Sequence, residues 1–424
     1  MFKARQTLLL VGDVGIFVAS FVLMVIVRFD TYTQSQFIAL QASQFAWLFA
    51  LWLVVFFIFD LYAIRRINPT PRTIGLIIAA MSLNTLVGVL YFYLLPQYGI
   101  SPKTNLVIIA GASLVLVVAW RRIYYHLFSK RFRRRIVLLG SGTLMEHLAA
   151  MIARNPHVGT VVAQWETLPT DIAVRADLVI AHNISPQTLL AFAQITGTET
   201  LTLDEAYETM FAKIPLELMT DERALSYMTS RSTTASRLIY RVLEIVGAST
   251  VLLVASPFLA IAALAIYIED GGPILYKQLR VGKNGALFAI YKFRSMRLDA
   301  EKDGAKWAGT HDPRITKVGI ILRKTHLDEV PQMYNIIRGD IALVGPRAER
   351  PEFVQTLQSA IPYYYLRHTI KPGFTGWAQI KYRYARSIDD SKEKFEYDLY
   401  YLKNKSPLLD IGIVLKTLQI IFTH

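Results

Sequence analysis

Apolar positions run almost unbroken through four stretches of the first 120 residues: Thr7–Val27, Ala46–Ile64, Thr73–Leu95 and Asn105–Trp120. Each is near the roughly 20 residues that a helix needs to cross a bilayer core, so the pattern predicts four transmembrane helices. The short loops between them set an orientation. Lys3 and Arg5 precede the first span, Arg65, Arg66 and Arg72 separate the second from the third, and Arg121 and Arg122 open a basic run after the fourth. Loop Phe29–Phe45 has no lysine or arginine, and Pro96–Thr104 has only Lys103. The excess of positive charge on cytoplasmic loops then puts the N-terminus and everything after Trp120 in the cytoplasm. No small-residue cleavage site follows the first apolar run, which is read as a retained helix and not a signal peptide. Asp13 and Asp60 fall inside or at the edge of spans. Such acids mark either a functional site or an interfacial, arginine-paired position. Asn84 suits a helix–helix hydrogen bond.

A fifth apolar segment, Arg241–Ile268, is long enough to cross at about 1.5 Å per residue. Beyond it, lysine and arginine well outnumber aspartate and glutamate, which weighs against export of that region. Ser256-Pro257 lies in mid-segment. Proline removes a backbone N–H and kinks or breaks a helix, and the Ser256 hydroxyl can satisfy a freed carbonyl inside lipid. Arg237 and Arg241 at one end, with Lys277 and Arg280 beyond the other, suit a re-entrant helix that enters and leaves by the cytoplasmic face. An ordinary kinked span is the alternative.

Between the membrane segments the periodicity changes. Ile136–Leu139 is a short buried-type strand ending in Gly140-Ser-Gly142, then come helical Leu144–Arg154, strand-like Val158–Gln164 and Leu178–Ala181, helical Ser185–Ile195 and strand-like Thr200–Leu203. This α/β alternation predicts a Rossmann-like cytoplasmic domain. Its glycine pair is only a partial dinucleotide fingerprint, because Met145 stands at the third glycine position. A structural or regulatory role therefore fits better than a catalytic one. Thr220–Ser236 is polar and reads as a linker. The chain divides into a four-helix membrane domain (1–122), the Rossmann-like domain (123–230) and a C-terminal mixed α/β domain carrying the re-entrant helix (231–424, helix 241–268).

Composition supports a membrane protein with a basic face. Apolar residues make up 53%, charged residues 18%, and the net charge is +14. Nucleic acid would explain the charge but not the hydrophobicity; anionic headgroups or anionic substrates explain both. The chain has no cysteine, which excludes disulfides, thiolate metal sites and cysteine nucleophiles.

The candidate chemistry lies in the last third. Tyr276–Val281 and Leu287–Phe293 flank Gly282-Lys-Asn-Gly285, a hairpin signal in which Asn-Gly fits a type I′ turn. That hairpin carries Arg280, Lys292 and Arg294. Leu327-Asp-Glu-Val-Pro-Gln332 sets adjacent carboxylates, Asp328 and Glu329, between Arg323 and Arg347. One explanation is a helix start, with Asp328 as N-cap and Glu329 and Pro331 in the first turn. The other is chemistry on a phosphate ester, where a carboxylate attacks or holds a metal and guanidinium forks hold phosphate oxygens. The two are compatible, since helix N-termini bind phosphate. Gly345-Pro-Arg347 adds a turn with an anion-binding guanidinium. Lys371-Pro-Gly-Phe-Thr-Gly-Trp377 is a glycine-rich loop ending in a tryptophan expected at the membrane interface.

Taken in order over Arg237–His424, Ser256-Pro257, Tyr291-Lys-Phe-Arg294, Arg323 with Leu327-Asp-Glu329, Gly345-Pro-Arg347 and Lys371-Pro-Gly-x-Thr-Gly-Trp-Ala-Gln379 resemble the bacterial sugar transferases, the monotopic phosphoglycosyl transferase superfamily. The whole chain is similar to the long subgroup that includes undecaprenyl-phosphate galactose and glucose phosphotransferases. The resemblance implies a re-entrant helix at Ser256-Pro257 that docks a catalytic domain on the cytoplasmic leaflet of the bacterial inner membrane. It also implies Asp328 as the nucleophile, Glu329 beside it, Mg²⁺ held at Asp328 and Glu329, and substrate phosphates bound by Arg280, Lys292, Arg294, Arg323 and Arg347. The implied partners are a UDP-sugar, undecaprenyl phosphate and the lipid bilayer, with no nucleic acid; a homo-oligomer is compatible with it. The chain departs at Ala348, where the family commonly has a second proline, and a looser turn is expected there.

Two other classes of function stay open on the residues alone. A transporter of lipid-linked sugars would want polar residues deep in several spans, and these spans are nearly clean. A catalytically dead scaffold would not need the intact Asp328-Glu329 pair with its flanking arginines. The residues do not specify a sugar.

Overall fold

In a computed structural model, the described residues are 2–63, 69–94, 102–128, 134–155, 158–167, 176–228, 234–300, 302, 312–382 and 387–422. The orienting cations Arg65, Arg66, Lys130, Arg131 and Arg133 lie outside them, as do the side chains of Lys3, Arg5, Arg72, Lys103 and Arg237. The chain forms two compact units, Met1–Leu203 and Asp204–His424.

The first unit opens with four long helices: α1 (Phe2–Arg28), α2 (Thr31–Ile58), α3 (Pro71–Leu94) and α4 (Pro102–Phe128). With a later helix, α9, five helices among the described residues are long and apolar enough to cross a membrane. Helix α2 corrects the hydropathy pattern at both ends. Much of Phe29–Phe45, expected to be a loop, is helical. It contains no glycine or proline to stop a helix, and Phe37 stacks on Phe29 at 4.3 Å and on Phe21 at 6.3 Å. The helix stops at Ile58, and Asp60 just beyond takes a left-handed φ of 57°. Aromatic packing fills the bundle: Phe17 meets Phe49, Trp52 and Phe56 at ring distances of 5.4–5.5 Å. Asp13 is fully buried and accepts a 2.6 Å bond from Arg121, joining α1 to α4. Asn84 donates across helices to Trp52 O at 3.4 Å.

The same unit holds a parallel four-stranded sheet in the order β2-β1-β3-β4, with β1 Arg135–Leu139, β2 Thr160–Trp165, β3 Leu178–Ala181 and β4 Glu199–Thr202. Helices α5 (Thr143–Arg154) and α6 (Pro186–Thr196) alternate with the strands. The central strands β1 and β3 are almost wholly buried, which is why they read as continuous apolar runs. Gly140 ends β1 at φ 119°, and a Cβ there would run into the backbone of His182.

The division between units falls at the one-turn helix α7 (Leu203–Ala206). The second unit continues with a π-helical turn (Tyr207–Phe211), α8 (Asp221–Met228), α9 (Thr234–Asp270), the hairpin β5 (Leu275–Val281) and β6 (Leu287–Phe293), and α10 (Lys317–Thr325). It closes with α11 (Gln332–Arg338), β7 (Ala342–Val344), α12 (Pro351–Ala360), β8 (Gly373–Thr375), α13 (Trp377–Lys381), α14 (Ile388–Asn404) and α15 (Pro407–Phe422). Residues 204–228, grouped by the sequence with the middle domain and its linker, pack in this unit. Ile214, Leu216, Met219 and Ala224 share a core with Leu357, Tyr364, Phe395 and Leu399.

Helix α9 is 37 residues long and continues through Pro257. The expected break at Ser256-Pro257 therefore does not end the helix, for a local reason. Pro257 lacks the N–H that would bond Leu253 O, and the Ser256 hydroxyl donates to that same carbonyl at 2.7 Å. Both ends of α9 are held by the second unit. Near the start, Arg241 donates to Ile336 O and Ile337 O at 2.6 and 2.5 Å. At the end, Glu269 accepts from Lys317 N at 2.8 Å, and Asp270 pairs with Arg294. Between them Leu253, Val254, Phe258, Ile261 and Leu264 are exposed.

Candidate active site

The hairpin is built as its residues require. Asn284 and Gly285, the central turn residues, have φ of 54° and 80°, the left-handed pair a type I′ turn needs, and Ala286 N closes the turn on Lys283 O at 3.2 Å. The register pairs Tyr276 with Lys292, Gln278 with Ile290 and Arg280 with Phe288, which puts Arg280 and Lys292 on one face. Asn335 of α11 anchors β6. It accepts from Tyr291 N at 3.1 Å and donates to Ala289 O at 2.8 Å and Asp340 at 2.9 Å.

The carboxylate pair sits where two helices meet. Thr316 caps the start of α10, and His326 ends it in a left-handed conformation, φ 56°. A 3₁₀ turn, Leu327–Glu329, follows, and α11 begins only at Gln332. Asp328 is thus not a helix N-cap: Pro331 occupies that position, three residues later than the sequence suggested. The turn buries Asp328, leaving it 7% exposed. Glu329 Oε1 accepts from Lys292 Nζ at 2.8 Å and from Arg347 Nη2 at 2.5 Å. Arg323 donates to the Ser295 hydroxyl at 2.9 Å.

The two glycine motifs form one object. Strands β7 and β8 pair in parallel, Gly345 N donates to Thr375 O and Gly373 N to Pro346 O, both at 2.9 Å. A Cβ on Gly345 would lie 2.6 Å from Lys371 O, so glycine is required by the approach of two backbones. Immediately after this junction comes Arg347. Its carbonyl accepts from Arg367 Nη2 at 3.0 Å, and the next carbonyl, Ala348 O, accepts from Arg280 Nη1 at 3.0 Å. Two guanidiniums thus hold the turn at Ala348, where a looser turn was expected. Arg367 is itself fixed by buried Asp398 at 3.0 Å and by Tyr364 Oη at 2.7 Å. Trp377 is half-buried: its indole N–H donates to Ala212 O at 2.9 Å and its ring stacks on Tyr400.

These elements enclose a cavity of about 860 Å³. Arg280, Lys292, Arg294, Arg323, Asp328, Glu329 and Arg347 all line it, so every predicted site residue outside the membrane helix comes together. Ser256 and Pro257 are not among the lining residues. Arg297, Arg314, Arg350 and Lys394 also line it and were not singled out from the sequence. Arg350 sits three positions after Arg347, the one signal that pointed to it; the others come from segments without a motif.

The neighbouring carboxylates are driven apart electrostatically. Burial, then the negative charge of Glu329, pushes Asp328 up to about 6, against the pull of Lys292, Arg323 and His326. Burial acts the same way on Glu329, but Arg347 and Lys292 overcome it and hold that group well below the usual carboxylate range. Burial also lowers Lys292, partly offset by Glu329. Glu329 stays ionised and paired with two cations; Asp328 is a buried carboxylate of raised basicity.

Among the described residues no group of three or more His, Cys, Asp or Glu forms a ready metal cage. Mg²⁺ commonly uses one or two carboxylates with substrate phosphates and water. Asp328 and Glu329 fit that habit: Glu329 Oε1 carries both cations, and Oε2, 3.5 Å from Arg347 Nη1, is the freer oxygen.

Residues 235–424 match the bacterial sugar transferase family. The chain is 32% identical over 349 residues to the UDP-N-acetylgalactosamine-undecaprenyl-phosphate N-acetylgalactosaminephosphotransferase of Aeromonas hydrophila, covering 80% of this chain and 77% of that protein. It is 39% identical over 184 residues to the UDP-glucose:undecaprenyl-phosphate glucose-1-phosphate transferase of Escherichia coli K12, covering 43% of this chain and 40% of that one. An exopolysaccharide production protein of Rhizobium leguminosarum is 38% identical over 185 residues, which is 42% of this chain and 92% of its own length.

Proposed function

Because the chain belongs to the bacterial sugar transferase family and is a phosphoglycosyl transferase, we propose that it moves a sugar 1-phosphate from a UDP-sugar to undecaprenyl phosphate. The product starts an exopolysaccharide, capsule or O-antigen on the cytoplasmic face of the bacterial inner membrane.

The observation that carries the mechanism is the opposite tuning of Asp328 and Glu329. A buried carboxylate with raised basicity is a better nucleophile than a solvated one and is still ionised at neutral pH. Asp328 attacks the β-phosphorus of the UDP-sugar. The bond from that phosphorus to the bridging oxygen breaks, its electron pair leaves with UMP, and the sugar phosphate stays on the aspartate. An oxygen of undecaprenyl phosphate then attacks the same phosphorus, and the Asp328 carboxylate departs to give the diphosphate-linked sugar. Arg347, with the hairpin cations, holds the phosphate oxygens and offsets the charge as each bond changes. Asp328 and Glu329, with the donor phosphates, would hold Mg²⁺, whose chemistry there is neutralisation of diphosphate charge.

Helix α9 serves this reaction as a re-entrant anchor. Support comes from its two ends, both bonded to the catalytic unit, which cannot stand on both sides of a bilayer at once. The exposed apolar middle is then the part sunk in lipid. The test is a screen of UDP-GalNAc, UDP-glucose and UDP-galactose with undecaprenyl phosphate, identifying the nucleotide released. UMP from one of them is expected; UDP as the product would refute the mechanism.

A further inference from the structure

The family match starts at residue 235, but the catalytic unit starts at Asp204. Residues 204–228 are joined to that unit by a buried seam. Lys213 is 1% exposed and pairs with Glu396 of α14 at 2.9 Å and Glu393 at 3.4 Å. Glu396 also accepts from Leu216 N at 3.2 Å, and its carbonyl from Ile214 N at 3.1 Å. At the edges Lys392–Glu217 and Lys403–Glu208 are exposed pairs, which contribute little. The specific contact is Ala212. It follows the π-helical turn, takes a left-handed φ of 54°, and so directs its carbonyl to the Trp377 indole N–H at 2.9 Å.

Trp377 follows β8 and Gly376 directly, and β8 is bonded to Gly345 and Pro346, the two residues before Arg347. Gly376 packs so tightly on Gly345 O that no Cβ fits between them. A second route runs through α14, whose Glu396 grips Lys213 and whose Asp398 holds Arg367 against Arg347 O. We propose that residues 204–228 are a positioning strap for Arg347, with Ala212 and Lys213 as its positioning residues; this rests on the phosphate-binding role of Arg347 given above. The catalytic unit of this chain is therefore complete only from residue 204. Its phosphate-binding turn is set by a segment that lies ahead of the matched residues 235–424.

The test uses the full-length protein with Lys213→Met, Lys213→Arg, Trp377→Phe and the double variant K213M/W377F. Two readouts are UMP release from UDP-GalNAc, UDP-glucose and UDP-galactose, and backbone hydrogen exchange across residues 373–380. A misplacement near 1 Å costs up to ~100-fold, so Lys213→Met and Trp377→Phe should each lower kcat/KM by ~10-fold or more. Exchange at 373–380 should quicken, Lys213→Arg should restore most activity, and the double variant should fall below the poorer single, because Trp377 acts on the turn through β8 and Lys213 also through α14. Activity within twofold of the parent with unchanged exchange overturns the strap, as does a Lys213→Arg variant no better than Lys213→Met. If Lys213→Met does not fold, Trp377→Phe decides by the same two readouts. If the parent releases no UMP, the transferase mechanism fails, and exchange at 373–380 alone judges the strap.

Discussion

Arg347 donates to Glu329 Oε1 at 2.5 Å, on the same oxygen that Lys292 reaches at 2.8 Å. Glu329 is thereby neutralised twice, and its neighbour Asp328 is left as the carboxylate whose charge the site accommodates least. That asymmetry suits Asp328, and not Glu329, to the nucleophile's role proposed above.

The rate should depend on pH through Asp328. Its nucleophilic form is the carboxylate, and in the metal-free protein burial pushes the group up to about 6. Single-turnover UMP release should be level above pH 7 and fall towards tenfold per unit below pH ~6. A rate that stays level down to pH 5 would contradict the assignment.

Removing the charge at Asp328 should stabilise the fold while abolishing turnover. Its folded value, about 6, is above the ordinary 3.8. Between those values the folded state holds the extra proton, so stability from this group falls as pH rises and stays reduced at neutrality. Asp328→Asn should therefore gain on the order of 1–3 kcal/mol at pH 7. Its Tm should exceed the parent's at pH 7.5 and approach it near pH 4.5.

Arg347→Ala should lower kcat/KM by ~100–1000-fold, the usual loss for a preorganised donor to developing charge. Arg347→Lys should recover only part of it, since an ammonium cannot reproduce the fork. Full recovery with lysine would mean that charge alone matters there.

A chelator should stop UMP release and added Mg²⁺ should restore it. Glu329→Gln should raise the Mg²⁺ concentration needed for half-maximal rate, measured by titration. An unaltered Mg²⁺ response would remove Glu329 from the metal.

In the membrane bundle, Asp13 pairs with Arg121 between α1 and α4. Breaking its buried pair with Arg121 by Asp13→Asn should cost ~3–5 kcal/mol, and the double change Asp13→Leu with Arg121→Met should cost less. Thermal unfolding in detergent checks the order.

Much of this was legible in the chain. Apolar runs and glycine-flanked strands depend on local composition, so α1, α3, the parallel sheet and the hairpin fell close to their predicted ranges, whereas α4 runs on past Trp120 to Phe128. The site cations on short motifs did too, because each motif keeps its residues within one turn or hairpin. What escaped was set by distant partners. Residues 204–228 fold as short turns interrupted at left-handed Ala212 and at Pro215, so no single period builds up, and only the face of α12 and α14 reveals that Ile214 and Leu216 are core. Lys394 lies in a charged helix that looks solvated until Glu349 is placed beside it at 3.2 Å. Asp328 was misread as a cap because its dipeptide is equally at home in a 3₁₀ turn, and only the left-handed His326 fixes which one forms.

The central claim is that Asp328 carries the sugar phosphate between donor and acceptor. The direct measurement is peptide mass spectrometry of the full-length protein after incubation with UDP-GalNAc, UDP-glucose or UDP-galactose and Mg²⁺, without undecaprenyl phosphate. The expected result is a sugar phosphate on the peptide containing Asp328, close to one UMP released per chain, and loss of both in Asp328→Asn. UMP formed only after the lipid acceptor is added, with Asp328 unmodified throughout, would contradict it.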